Sequence, residues 1–307
     1  MHKTAIAIHA GAGDDSDFIR ENRKAHYEGL EAALKAGHQV LQQGGTATDA
    51  VQAAVVSLED NYLFNAGKGS VLNCKGSVEM DVSLMEGKDR KIGAACTLIG
   101  VKNPVLLARK LLDTEGVIFV SGSHALEIAR KAGLAIEPAK YFITDHQWQD
   151  FLRNKEKYKD TVNYRLHGTV GAVALDSAGN TASATSTGGA CFSQEGRVGD
   201  SCMIGAGVYA DNSTCAVSCT GDGEYIIQNA MAHAISSAIE YRQMSVQEAC
   251  DYIIHEKNKH CKGDLGAVCV DTKGEIGMAF NTVRMHRGWV DSDGNFCVEI
   301  YDNPRPK

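Results

Sequence analysis

The stretch His167–Gly189, HGTVGAVALDSAGNTASATSTGG, places a hydroxyl directly after a glycine, at Gly168–Thr169, where an apolar run begins. A threonine hydroxyl is a weak nucleophile until a base takes its proton. The usual base is a histidine held by a carboxylate. The chain has 11 histidines, among them His9, His167, His233, His255 and His260, and none belongs to an elbow pattern such as G-x-S-x-G. Another base is available. If the bond between Gly168 and Thr169 were cut, Thr169 would carry a free α-amine, which titrates near ~7.7–8.0. That amine is attached to the residue it serves, so it is always in place. Glycine in front would let the backbone take the strained conformation in which the hydroxyl attacks its preceding carbonyl. Taken alone, the pair reads more simply as a glycine ending a linker and a β-branched residue opening a strand.

Other residue patterns bear on the same question. GRVGDS brings Arg197 and Asp200 close in a glycine-bounded loop. An α-amino acid is a zwitterion, and a guanidinium fork suits its carboxylate as an aspartate suits its ammonium. An exposed ion pair of little energetic value fits the same spacing. CTGDGE, Cys219–Glu224, runs from an apolar strand pattern into a helix pattern. Backbone N–H groups in such a turn suit an anion, and Asp222 there also suits a helix cap. Thr187, ahead of Gly188 and Gly189, is on local grounds a turn residue.

These residues need elements to hold them. TAIAIHA reads as a first strand, ended by Gly11 and Gly13. From about Glu21, Leu30, Ala33, Leu34, Gly37, Val40 and Leu41 make one helical stripe, stopped at Gly44–Gly45. Thr46 opens a capping-box pattern before a helix that is apolar nearly all round. SVEMDVSLMEG and KIGAACTLIGV read as strands. From Asp150 to Arg165 the chain is polar and charge-dense, a helix end running into a mobile linker. Beyond Gly168 come short strands with turns such as SAGN, two helices at about 223–241 and 245–257, and a hairpin at TKGE. Hairpins and helices arrive in blocks, so mostly antiparallel sheets with helices outside are expected. Neither half looks self-sufficient, which implies one domain.

Composition narrows the class. The chain has 307 residues, 44% hydrophobic and 22% charged, enough to bury a sizeable core. A net charge of −7 gives no footprint for a nucleic-acid partner. No apolar run is long enough to span a bilayer, and the first apolar stretch is too short for a signal peptide. Ten cysteines without a C-x-x-C pair read as reduced core thiols, so a cytoplasmic protein is expected.

Together, HGTVGAVALD, GN.ASATSTGG, GRVGDS, GAGVYAD and AVSCTGDGE resemble the plant-type L-asparaginases, or isoaspartyl peptidases, which are N-terminal-nucleophile hydrolases. IAIHAGAG, GGTATDAVQAAVVSLEDNYLFNAGKGSV and EMDVSLMEG in the first half agree, so the resemblance covers nearly the whole chain. It implies a four-layer αββα sandwich of two mostly antiparallel sheets. It implies self-cleavage of the single 1–307 domain into 1–168 (α) and 169–307 (β), and a homodimer of αβ units. The implied substrates are L-asparagine and β-aspartyl dipeptides, with no required cofactor, no nucleic acid and no membrane.

The resemblance also implies roles. Thr169 is the nucleophile and its amine the base. Thr187 hydrogen-bonds it. Arg197 and Asp200 clamp the substrate. Thr220 and Gly221 form the oxyanion hole, and Gly223 lines the amine pocket. Asn65 supports the geometry. The loop with Leu58, Glu59, Asn61, Phe64, Ala66 and Lys68 matches one that in some members wraps a sodium ion with carbonyls. The chain departs from the pattern at Ala10, where a second glycine is usual, and at Asp264, where many members have a glycine pair. GACFSQEG is also individual, and its Cys191 could line the pocket. A branch that cleaves glycosylated asparagine typically has aspartate where this chain has Gly168.

Overall fold

The structure, a computed structural model, describes residues 3–157 and 168–301. In chain order the described elements are β1 (Ala5–Gly13), α1 (Asp17–Glu21), α2 (Arg23–Gln42), α3 (Ala47–Glu59), β2 (Met80–Glu86), β3 (Ile92–Leu98), α4 (Pro104–Leu112), β4 (Phe119–Ser121), α5 (Gly122–Lys131), α6 (Ala139–Phe142) and α7 (Asp145–Lys157). After Thr169 come β5 (Val170–Leu175), β6 (Thr181–Thr187), β7 (Val208–Ala210), β8 (Cys215–Gly221), α8 (Gly223–Gln228), α9 (Met231–Arg242), α10 (Val246–Asp251), β9 (Leu265–Asp271), β10 (Ile276–Phe280), β11 (Arg284–Val290) and β12 (Phe296–Tyr301).

Two sheets stack between helices. The larger has strand order β12-β11-β1-β5-β6-β2-β3-β4, and the smaller β10-β9-β8-β7. All neighbours pair antiparallel except β3 and β4, which are parallel. Helices α2, α3 and α4 pack on the larger sheet, α9 and α10 on the smaller, and the sheets pack on each other. This is the expected four-layer αββα arrangement. The larger sheet draws β1–β4 from before Gly168 and the rest from after it.

Strand alternation explains the layers. On β1, Ile6, Ile8 and Ala10 join the helix-side core, whereas Ala5, Ala7 and Ala12 join the core between the sheets. Successive strand residues point to opposite faces, so one strand serves two cores. His9, of the same parity as Ala5 and Ala7, therefore enters the seam between the sheets.

The elements differ from the sequence reading in four places. β1 runs to Gly13 through an irregularity between His9 and Ala12. The helix expected over 223–241 is broken, with Ala230 in the left-handed region (φ 44°) between α8 and α9. The one expected over 245–257 is α10, continued as a π-helix from Tyr252 to Lys257. β11 and β12 are strands absent from the sequence reading; β11 carries Arg284, His286 and Arg287, which hide the alternation on which strand recognition depends. Of the charged stretch 150–165, α7 holds residues to Lys157; 158–165 lies outside the described residues, as does His167.

Candidate active site

One end of the sandwich collects the sequence-flagged residues. Thr169 precedes β5, Thr187 ends β6, Thr220 and Gly221 end β8, and Gly11–Gly13 end β1. Asn65 comes from the loop after α3, and Arg197 and Asp200 from the segment between β6 and β7.

The chain runs on from Gly168 to Thr169, and the Gly168 carbonyl is gripped twice. Asn65 Nδ2 donates to it at 2.6 Å and to the Gly189 carbonyl at 2.8 Å. Asn65 Oδ1 accepts from Val71 N–H at 2.9 Å, which fixes the amide's orientation. Thr187 Oγ1 donates to the same Gly168 oxygen at 3.2 Å and accepts from Gly189 N–H at 3.1 Å. Thr169 Oγ1 donates to Thr187 Oγ1 at 3.4 Å. The hydroxyls thus form a chain from Thr169 to the carbonyl of its own peptide bond. Two donors on a carbonyl polarise it and would hold an oxyanion formed there. Gly11 (φ +106°) closes this corner: a Cβ on it would lie 3.0 Å from Gly168 Cα. Position 11 therefore needs glycine for both its backbone angle and its clearance.

A buried polar chain lies behind Thr169. His9 Nδ1 is 2.9 Å from the Thr169 carbonyl oxygen, and Nε2 is 2.8 Å from Ser218 Oγ. Ser218 Oγ is 2.7 Å from Thr185 Oγ1. Burial pushes His9 down to about 3, so the ring is neutral. The carbonyl can only accept, so Nδ1 carries the proton and Nε2 accepts from Ser218. His9 is thus a strut across the sheet seam, holding the Thr169 carbonyl. A Cβ at Gly171 would collide with both His9 Nε2 and Ser218 Oγ.

On the other side lies a charged recess. Arg197 pairs with Glu224 through two parallel bonds, and Asp200 is buried beside it. Asp200 Oδ2 has no hydrogen-bond partner, and burial pushes the carboxyl up to about 7 against the pull of Arg197. A buried carboxylate oxygen without a partner is costly, and a ligand ammonium would satisfy it. Gly223 separates the two charges: its Cβ would lie 2.9 Å from both Arg197 Nη2 and Asp200 Oδ1. A side chain there would press on both charged groups. Thr220 Oγ1 accepts from Ala12 N–H at 3.3 Å, which leaves its own proton free to be donated. Gly221 (φ +132°) leaves room for the Asp264 carbonyl.

The structure alters three local readings. Asp222 precedes α8 without a side-chain cap; its carboxylate accepts from Asp264 N–H at 2.9 Å. Asp264 therefore braces the turn beside Thr220 and Gly221. Cys191 packs in the helix-side core, accepts from Asn154 at 3.3 Å, and is raised by burial to about 11. In the Leu58–Lys68 loop the Glu59 carbonyl accepts from Lys68 N–H at 2.7 Å and that of Phe64 from Ala66 N–H at 2.9 Å. A carbonyl has a second lone pair, so the loop keeps acceptors to offer a cation. Among the described residues no group of three or more His, Cys, Asp or Glu is placed to hold a metal ion.

Sequence reasoning missed Glu224, Ser218 and Thr185, and passed over His9. Glu224 stood inside the CTGDGE motif, but its pairing with Arg197 is a tertiary fact. His9 carries no local signal, since its partners are 160 and 209 residues away.

The sequence profile of the family described as Asparaginase matches residues 2–300. A probable isoaspartyl peptidase/L-asparaginase 2 of Arabidopsis thaliana is 37% identical over 324 residues, covering 97% of this chain and 99% of the relative. An isoaspartyl peptidase of Escherichia coli (strain K12) is 36% identical over 299 residues, covering 94% and 93%. An isoaspartyl peptidase/L-asparaginase of Xenopus laevis is 37% identical over 292 residues, covering 95% and 93%.

Proposed function

The chain belongs to the asparaginase family, and on that premise we propose that Thr169 is its nucleophile, exposed by cleavage of the Gly168–Thr169 bond. The protein is a hydrolase of L-asparagine and isoaspartyl peptides. The observation that carries the assignment is the hydroxyl chain: Thr169 Oγ1 lies 3.4 Å from Thr187 Oγ1, whose own proton goes to the Gly168 carbonyl.

Maturation begins when Thr169 Oγ attacks the Gly168 carbonyl carbon. Asn65 and Thr187 hold the oxyanion, and the Thr169 nitrogen takes a proton and leaves. Water then hydrolyses the resulting ester. The products are a 1–168 chain ending in a carboxylate and a 169–307 chain starting with an amine.

In turnover, Thr169 Oγ attacks the β-carbonyl of the substrate. The α-amine takes the hydroxyl proton and passes it to the departing ammonia or amine. The Thr220 hydroxyl and the Gly221 N–H hold the oxyanion. Arg197 takes the substrate's α-carboxylate, Asp200 its α-ammonium, and Gly223 leaves them room. Water releases aspartate from the acyl-enzyme.

We further infer a structural sodium ion held by carbonyls of Leu58, Glu59, Asn61, Phe64, Ala66 and Lys68, supported by the second lone pairs in that loop. A higher melting temperature in sodium than in tetramethylammonium chloride is expected, and equal values would remove the ion. Two αβ units pair as a homodimer; exposed Ile99, Val117, Ile118 and Phe119 offer apolar surface to bury. A cytoplasmic site is supported by ten free cysteines, and no described helix is long and apolar enough to cross a membrane.

The deciding experiment is intact-mass measurement with assays on L-asparagine and a β-aspartyl dipeptide. Two chains joined at 168/169 in the sequence and activity on at least one substrate are expected. An active, uncut chain would refute the assignment of Thr169.

A further inference from the structure

Resting on the hydrolase reading above, we infer that Arg284 is a specificity residue, binding the free α-carboxylate of the amino acid released from a β-aspartyl dipeptide. The amine that donates its proton is the nitrogen now bonded to Gly168. A proton is passed only within hydrogen-bond reach, so the leaving nitrogen must sit on the Gly168 side of Thr169.

A cavity of about 590 Å³ opens on that side, lined by Ala10, Asn65 and Gly168 near the bond and by Arg284 and His286 further on. Its buried part holds Phe64, His26, His286, Arg284 and Asp150; burial lowers both histidines toward the neutral form, Asp150 is paired with Arg153 and His146, and Asp14, Asp17 and Glu21 are exposed. Arg284 is 8% exposed. Its Nε donates to the Asp14 carbonyl at 2.9 Å, and Nη1 to His286 Nδ1 at 2.9 Å. Asp14, Asp15 and Asp264 are near enough to attract it, yet none of the described carboxylates forms an ion pair with it. Asp15 is engaged by Arg20, Tyr301 and Ser16. A buried guanidinium held by two neutral acceptors is a charge waiting for a partner.

The spacing fits. On β1, Gly11 abuts Gly168, and a Cβ on Gly13 would lie 3.7 Å from Asp264 Oδ2 and 4.0 Å from Arg284 Nη2, so the acid and the guanidinium frame the same spot. Two residues of chain span at most ~7 Å. In an α-amino acid a single carbon separates nitrogen from carboxylate, and one charge-assisted hydrogen bond of ~2.8 Å reaches on to a guanidinium. Ammonia, the leaving group from asparagine, gains nothing from Arg284.

The test compares β-aspartyl-leucine, its C-terminal amide and L-asparagine. Mature wild-type protein is expected to show kcat/KM at least ~10-fold higher on the free acid than on the amide, and Arg284→Met to bring that ratio to ~1. Arg284→Lys should fall between, because a point charge keeps attraction but loses the fork. Equal wild-type values on acid and amide would overturn the inference with no variant involved, and leave the hydrolase reading standing. A variant that slows all three substrates by one factor, with the ratio held, would overturn it too, since Arg284 would then serve only the strand. No turnover of any of the three would remove the hydrolase reading and this inference together.

Discussion

Arg197 and Glu224 meet as a parallel fork, Nε to Oε1 and Nη2 to Oε2, both at 2.9 Å. Two of the five guanidinium protons are used, and the two on Nη1 and one on Nη2 remain. A second carboxylate can therefore bind the other edge without displacing Glu224. Glu224 then aims Arg197 instead of blocking it. We expect Arg197→Lys to raise KM for L-asparagine by ~10–100-fold with a much smaller change in kcat, because the two-pronged contact is lost. Glu224→Gln should raise KM by ~3–10-fold, also with kcat held. Steady-state kinetics decide it, and a normal KM in the lysine variant would take Arg197 out of the clamp.

Asn65 tests the proposed maturation step. It touches the Gly168 oxygen at 2.6 Å, the shorter of the two contacts to that atom. Losing one oxyanion donor costs ~10²–10³ in rate. Asn65→Ala should therefore slow the appearance of the two chains by about that factor on a denaturing gel. Thr169→Ala should remain one chain and be inactive. Normal cutting of the alanine variant at Asn65 would mean that Thr187 alone holds the oxyanion.

Gly171 tests the seam. Its Cβ would enter the space of the His9–Ser218 hydrogen bond and meet the Ala184 carbonyl at 3.0 Å. Overpacking of this kind costs ~1–3 kcal/mol, and here it also breaks a buried bond. Gly171→Ala should lower the melting temperature by ~4–8 °C. An unchanged melting temperature would show that the strut contributes little.

The motifs were legible as short segments, but their roles came from the family resemblance, since each alone admits a plain structural reading. Gly168–Thr169, TSTGG and CTGDGE lie at strand ends, and GRVGDS in the segment between β6 and β7. Antiparallel sheets with helices outside were legible from strand and helix patterning, and the four-layer stacking from the resemblance. His9, Ser218, Glu224 and Arg284 were not, for one physical reason. Their roles come from pairing across the sheet seam or between distant segments, and a buried histidine or arginine looks in sequence like any other. β11 was hidden by Arg284, His286 and Arg287, since polar side chains that find buried partners break the alternation expected of a strand.

Asp200 gives the site a pH dependence whose sign is fixed. In the free protein burial pushes its carboxyl up to about 7, well above the ordinary aspartate value. Below pH 7 it therefore binds a proton and cannot pair with an ammonium; above pH 7 it is charged and can. Ligand binding must strip that proton, so affinity should fall about tenfold per pH unit below 7 and level off above it. A Thr169 amine freed by the proposed cleavage would, like other α-amines, titrate near ~7.7–8.0, and its charged form would attract a side-chain carboxylate, an effect of opposite sign. L-alanine avoids it, being a zwitterion without a side-chain carboxyl. Its inhibition constant should rise about tenfold between pH 6.5 and 5.5, while its own charges stay constant. Asp200→Asn should bind it weakly at every pH and lose the slope. A flat profile in the wild type would mean that the ligand's ammonium is held elsewhere.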